Sequence, residues 1–128
     1  MDAAQALADL TEISSQVESA VLFEEGGKVT ASTLPAAAAA ALARAAGELL
    51  DRAAGLGGGG AVTQVEASTP AGSVFVVRDG ARCVAATTVP DPTTGLVFYD
   101  LKSALRGSAP EPKPRRRRTA AAKDDDAA

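Results

Sequence analysis

The side chains that most often carry chemistry are sparse in this sequence. It has no histidine, which removes the usual general base, the Ser-His-Asp and Cys-His nucleophile systems and the commonest metal ligand. Its one cysteine, Cys83, falls mid-strand in an apolar context, where a structural thiol is expected rather than a reactive one. No second cysteine is present to build a zinc site. Carboxylates are grouped at Glu24 and Glu25 and at Asp124 to Asp126, but the first pair flanks a turn and the second lies in a tail. Neither arrangement separates two acid strengths in a cleft, as acid–base catalysis requires. The tetraglycine Gly57 to Gly60 invites comparison with a phosphate cradle. A P-loop needs a strand before the glycines and Lys-Ser/Thr with a helix after them; here a helix precedes, a strand follows and no lysine is near. The glycines read as a linker. No catalytic residue, cofactor or metal is expected, and the chain reads as a non-enzyme.

Charge is the next chemical resource, and it is unevenly placed. The formal net charge of −3 divides into −5 for residues 1–107 and +2 for residues 108–128. The longer part therefore lacks the electrostatic footprint of a nucleic-acid-binding domain. Only the run Arg115, Arg116, Arg117 and Arg118 could contact nucleic acid, an acidic membrane or an acidic protein surface. It has no interleaved aromatics and so is no stacking platform, and the following Asp124 to Asp126 could fold back and screen it. The alternative is a solubilising extension.

With 128 residues the chain is one domain's worth. The apolar fraction of 46% rests on alanine, since Leu, Ile, Val and Phe supply only 26 residues. A small core follows, helped by burial against a copy of itself or a partner. The lone cysteine fits a reducing cytosol, a secretory leader is not expected, and no apolar run reaches the roughly 20 residues that cross a bilayer.

The elements that must position any functional surface follow from periodicity. A first helix is expected over residues 3–17, with Ala3, Leu7, Leu10, Ile13 and Val17 on one side. "ESAVLFEE" then reads as a strand covered on both faces, Gly26 and Gly27 as a turn, and "KVTAS" as a more exposed strand. Pro35 opens the longest helix, running to about Ala54 with a core stripe of Leu42, Ala46, Leu49, Leu50 and Ala53. Its opposite face holds Ala37, Ala41, Arg44 and Glu48. The alanines on that face have two readings: helix propensity alone, or small residues that let another helix approach closely. "AVTQVEAS", "SVFVVR" and "ARCVAATTV" form a meander joined by hairpin-length links. The last helix, within Asp91 to Gly107, lays Val97, Phe98, Leu101, Ala104 and Leu105 on the core. Leu96 and Tyr99 point away, either beneath the first helix or as an exposed apolar spot for a partner. The order is α-β-β-α-β-β-β-α, an α/β (α+β) sandwich with a five-stranded antiparallel sheet flanked by three helices. The first and last helices are expected on one face and the long helix on the other. Residues 108–128, Pro-rich and charged without large apolar side chains, read as a disordered tail.

The element order, the segment "VESAVLFEEGGKVTAS" and the closing "ATTVPDPTTGLVFYDLKSALR" together resemble the Roadblock/dynein light chain family over about residues 3–107. The family's usual Asp-Gly turn appears here as Gly-Gly. The resemblance implies the family's profilin-like fold and a homodimer, or a heterodimer with a paralogue. In such dimers the long helices meet across a two-fold axis and the third strands pair edge to edge. This would place Ala37, Ala40, Ala41 and Arg44, with Val62, Gln64 and Glu66, at the dimer interface. It also implies a cytoplasmic, non-catalytic adaptor. In the bacterial branch, favoured by the Ala, Gly and Arg bias, the partner is commonly a small Ras-like GTPase, sometimes activated by the adaptor. Arg44, Arg52, Leu96 and Tyr99 are the partner-contact candidates, and neither arginine reads as an inserted catalytic finger. The competing expectation is a scaffold that presents its basic tail to an anionic surface and has no GTPase partner. A ligand-binding sensory domain finds no polar constellation to support it.

Overall fold

In a computed structural model of the chain, residues 2–57 and 62–108 are described. They form α1 (Ala3–Ile13), β1 (Val17–Glu24), β2 (Lys28–Ser32), α2 (Ala36–Ala54), β3 (Gln64–Thr69), β4 (Gly72–Asp79), β5 (Arg82–Thr88) and α3 (Thr94–Gly107). The expected element order is met throughout. All four strand pairings are antiparallel, and the five strands lie in the order β2-β1-β5-β4-β3. β2 and β3 are thus the two rims.

The first helix is shorter than its periodicity predicts. Asp2 caps its start, Oδ1 accepting the Gln5 N–H at 2.8 Å, a favourable use of an acidic N-cap. It stops at Ile13 because Ser14 turns to extended backbone while still donating its N–H to the Leu10 carbonyl. Val17 then joins β1 opposite Thr88. Ile13, expected on the core stripe, is instead 73% exposed.

β1, flanked by β2 and β5, is covered by a core on each face, as its continuous apolar run requires. Ala20 and Leu22 belong to one core, Val21 and Phe23 to the other. The hairpin to β2 turns on Gly26 and Gly27, both at φ 91°, a left-handed region that glycine enters without steric cost. At the start of β4, Gly72 answers a different demand. A Cβ there would stand 2.3 Å from the Thr88 carbonyl oxygen, so the sheet closes only over a residue without a side chain.

The sheet separates two unequal cores. On one face α1 and α3 bury Leu7, Leu10, Val97, Leu101 and Leu105 against Leu22, Phe75 and Val84, and Phe75 meets Phe98 edge to face at 4.9 Å between ring centroids. On the other face α2 lies alone. Its fully buried residues are Ala39, Ala43, Ala46 and Leu50; Leu42, Leu49 and Ala53, expected to share the stripe, are only half-buried. Alanines beneath the helix let its backbone settle close to the sheet, which turns the two leucines to its margin. Each large side chain buried in these cores contributes about 1.5–3 kcal/mol.

Candidate interaction face

The expected interface residues of α2 lie together. Ala37, Ala40, Ala41 and Arg44 are all exposed, and at 100° per residue they share the arc opposite Ala39, Ala43, Ala46 and Leu50. Glu48 and Asp51 continue that arc, and Arg52 borders it near the C-terminal end. The helix thus presents a small-residue N-terminal half and a charged C-terminal half to solvent. Half-buried Leu42 and Leu49, with Val62 and Val65, fringe the underlying core. Periodicity alone does not single out this fringe; its signal is that two leucines accompany a stripe already filled by alanine.

The β3 residues are divided rather than gathered. Gln64 and Glu66 alternate with Val65 along the strand. Val65 and Val62 pack with the α2-side core, and the Val62 carbonyl accepts from Arg78 Nη2 at 2.8 Å. Glu66 belongs to the opposite side of the sheet: its carboxylate accepts from the Thr94 hydroxyl at 3.5 Å and the Ser68 hydroxyl at 3.1 Å. Val62 itself precedes the strand, whose first residue is Gln64. What these residues hold in common is the rim, because β3 pairs with β4 on one side only. Its outward backbone groups are open to a further strand.

Leu96 and Tyr99 are not covered by α1. They are 49% and 64% exposed, and Tyr99 instead forms a wall of a groove between α1 and α3. Arg115 to Arg118 lie outside the described residues, as do Ala61 and Gly58 to Gly60.

Two further groups complete the chemical inventory. Burial pushes the Cys83 thiol above its ordinary range, partly offset by Arg78 and reinforced by Glu25. Thr88, buried, accepts the Ser73 N–H at 3.3 Å and donates to the Val89 carbonyl at 2.9 Å. Both serve the fold. Among the described residues, no group of His, Cys, Asp and Glu is arranged to hold a metal ion, and no helix is long and apolar enough to cross a membrane.

A sheet with one lone helix on one face and paired terminal helices on the other defines a recognisable class of domain. No protein-family model matches the chain, and no curated protein matches it at a significant level. Solved structures do. A Roadblock/LC7 domain from Streptomyces avermitilis superposes with a TM-score of 0.75 at 24% identity, over 84% of this chain and 94% of that one. MglB from Myxococcus xanthus gives a TM-score of 0.62 at 14% identity, over 81% and 85% of the two chains. The gliding protein MglB from Thermus thermophilus gives 0.64 at 17%, over 83% and 84%. The chain has the Roadblock/LC7 fold. Its likeness extends to profilin II from Acanthamoeba castellanii, with a TM-score of 0.55 at 15% identity over 81% and 94%.

Proposed function

We propose that this protein is a non-catalytic, cytoplasmic adaptor that works as a dimer, with itself or a paralogue, and regulates a small Ras-like GTPase by surface contact. The observation that carries the reading is the face of α2. It is the only described helix on its side of the sheet, its outward N-terminal half is alanine, and it stands on a sheet whose β3 rim is open. A second copy applied there would pair small-residue helix faces and continue the sheet, meeting both needs at once. A further MglB structure with this fold is described as having a tetrameric arrangement, at 16% identity and a TM-score of 0.65, which supports self-association as a property the fold accommodates. In this reading Arg44, near the middle of α2, and Arg52, near its C-terminal end, face the GTPase.

The test is Ala41→Glu. A glutamate at the centre of the alanine face would overfill a contact made by small residues and lose its hydration in the dimer, at a cost of several kcal/mol. Sedimentation should report single chains for the variant and dimers for the wild type; an intact Ala41→Glu dimer would overturn the arrangement. Deleting residues 108–128 separates the adaptor from a scaffold that acts through its tail. Adaptor binding to the GTPase should survive the deletion, whereas a tail-presenting scaffold should lose its partner.

A further inference from the structure

The face opposite α2 leaves large apolar side chains in solvent. Among the described residues Leu56, just past α2, is so exposed; the others are Ile13 on α1 and Leu96 and Tyr99 on α3. Ile13 and Tyr99 share the lining of the groove between those helices, a hollow of about 360 Å³. Charge divides about this groove. α1 carries Asp9 and Glu12, is capped by Asp2 and holds no lysine or arginine. α3 carries Lys102 and Arg106, both exposed. At 100° per residue, Leu96, Tyr99, Lys102 and Arg106 fall within an arc of about 120° on the outer side of α3, and Asp9, Glu12 and Ile13 within about 100° on that of α1. Two other carboxylates lie off these crests. Asp100 is only 9% exposed within the groove, and Asp79 borders a separate hollow with Lys102 and Arg106.

Such a face is complementary to itself. The helices run antiparallel, because Gln16, just beyond α1, accepts the Thr93 N–H at the start of α3 and donates to its hydroxyl at 3.3 Å. Ile13 therefore lies level with the first turns of α3, and Lys102 and Arg106 with the first turns of α1. A two-fold axis along the groove sets each α1 over the partner's α3 at the same level. Ile13 then meets the partner's Leu96 and the partner's Tyr99. Asp9 and Glu12 face the partner's Lys102, and Asp2 faces the partner's Arg106. An axis across the helices would instead set α1 on α1, carboxylate against carboxylate, which like-charge repulsion opposes. Charge also argues against a polyanion as the occupant. A nucleic acid or an acidic membrane broad enough to reach Lys102 and Arg106 would meet the carboxylates of α1 across the groove.

We propose that this face is a second self-association surface, on which two copies pair about an axis along the α1–α3 groove. Ile13, Leu96 and Tyr99 make its apolar contact, and ion pairs run reciprocally from each α1 to the other copy's α3. The apolar patch is small and exposed ion pairs contribute little each. The pairing is therefore weak and forms at higher protein concentration than the α2 contact. It uses neither α2 nor the β3 rim, so it stands whether or not the adaptor reading does. Where both hold, contacts on opposite faces of the sheet link α2 dimers into larger assemblies.

The full chain carrying Ala41→Glu isolates this contact from the one at α2. Sedimentation equilibrium of that parent at low salt should give single chains at micromolar concentration and dimers as the concentration approaches millimolar, and about 0.5 M salt should weaken the dimer several-fold. Adding Lys102→Glu with Arg106→Glu, or Asp9→Lys with Glu12→Lys, should weaken it at least about tenfold. The two pairs of changes together leave the net charge unaltered and restore complementarity with the signs exchanged. They should bring association back to within about threefold of the parent. Ile13→Ser, at a side chain 73% exposed, should weaken the dimer without touching a charge. Tyr99 is the sole tyrosine of a chain without tryptophan, so its fluorescence should grow harder to quench with acrylamide as the parent dimerises. A parent that stays a single chain throughout overturns the proposal. So does association that neither charge reversal moves, or that the combined exchange fails to restore. Dimers of the parent already present at micromolar concentration and indifferent to all these changes count against the α2 arrangement and this one alike.

Discussion

Cys83 shows how a single side chain can be misread by type and read correctly by place. It lies opposite Phe23 and Arg78 in the sheet and is 2% exposed. Desolvation disfavours the thiolate, and its pKa rises above the ordinary 9.0. The folded state therefore holds its thiol proton to a higher pH than the unfolded chain does. The resulting stabilisation is complete below the ordinary thiol pKa and is lost as pH rises through it towards the folded value. Urea midpoints measured from pH 7 to 10 should fall more steeply for the wild type than for Cys83→Ala, and native Cys83 should resist alkylation until the protein unfolds. Its inertness is legible in the sequence from the apolar strand around it. The need for glycine at position 72 is not, because the obstructing Thr88 carbonyl comes from β5, sixteen residues further along the chain.

At the scale of elements, the strands are the most legible and the helix ends the least. The buried run Ala20 to Phe23 could belong only to a strand with a core on each side, and it does. The end of α1 escapes the pattern because helical spacing continues through Ile13 to Val17 while the backbone does not; the pairing of Val17 with Thr88 decides the matter. The end of α3 also depends on a distant residue. Arg82 on β5 donates from Nη2 to the Leu105 carbonyl at 2.7 Å and to the Ser108 hydroxyl, placing a cation on the helix's last unsatisfied carbonyls. Arg82→Met keeps an apolar stem but removes these bonds and should cost about 1–2 kcal/mol. Thermal unfolding should then begin lower by about 4–8 °C per kcal/mol, with the frayed last turn visible as faster amide exchange at Leu105 and Arg106.

For the whole molecule, the sheet's two faces make different demands. The α1–α3 face is closed by large side chains, while α2 seats on the sheet through three alanines and one leucine, leaving a thin cover with a half-buried apolar fringe. The proposed dimerisation across that face would link stability to concentration, since an assembled state gains by mass action. Tm should rise with protein concentration for the wild type and stay fixed for Ala41→Glu. No sequence pattern locates the α1–α3 groove, because its walls come from opposite ends of the fold. The helical wheel does place Ala37, Ala40, Ala41 and Arg44 on one outward face, since α2 is long, regular and covered on one side only.

The fastening of Gln16 to Thr93 also orders events on the ribosome. The core under α2 draws on nothing beyond Cys83 and Ala85 among its buried members, whereas the opposite core needs Val97 to Leu105. A chain emerging N-terminus first can settle α2 upon the sheet while Leu7, Leu10 and Leu22 still lack their lid. α1, made before the strands it covers, is thus among the last parts of this fold to find its seat, and a nascent chain arrested before α3 would display those leucines to the cell's chaperones.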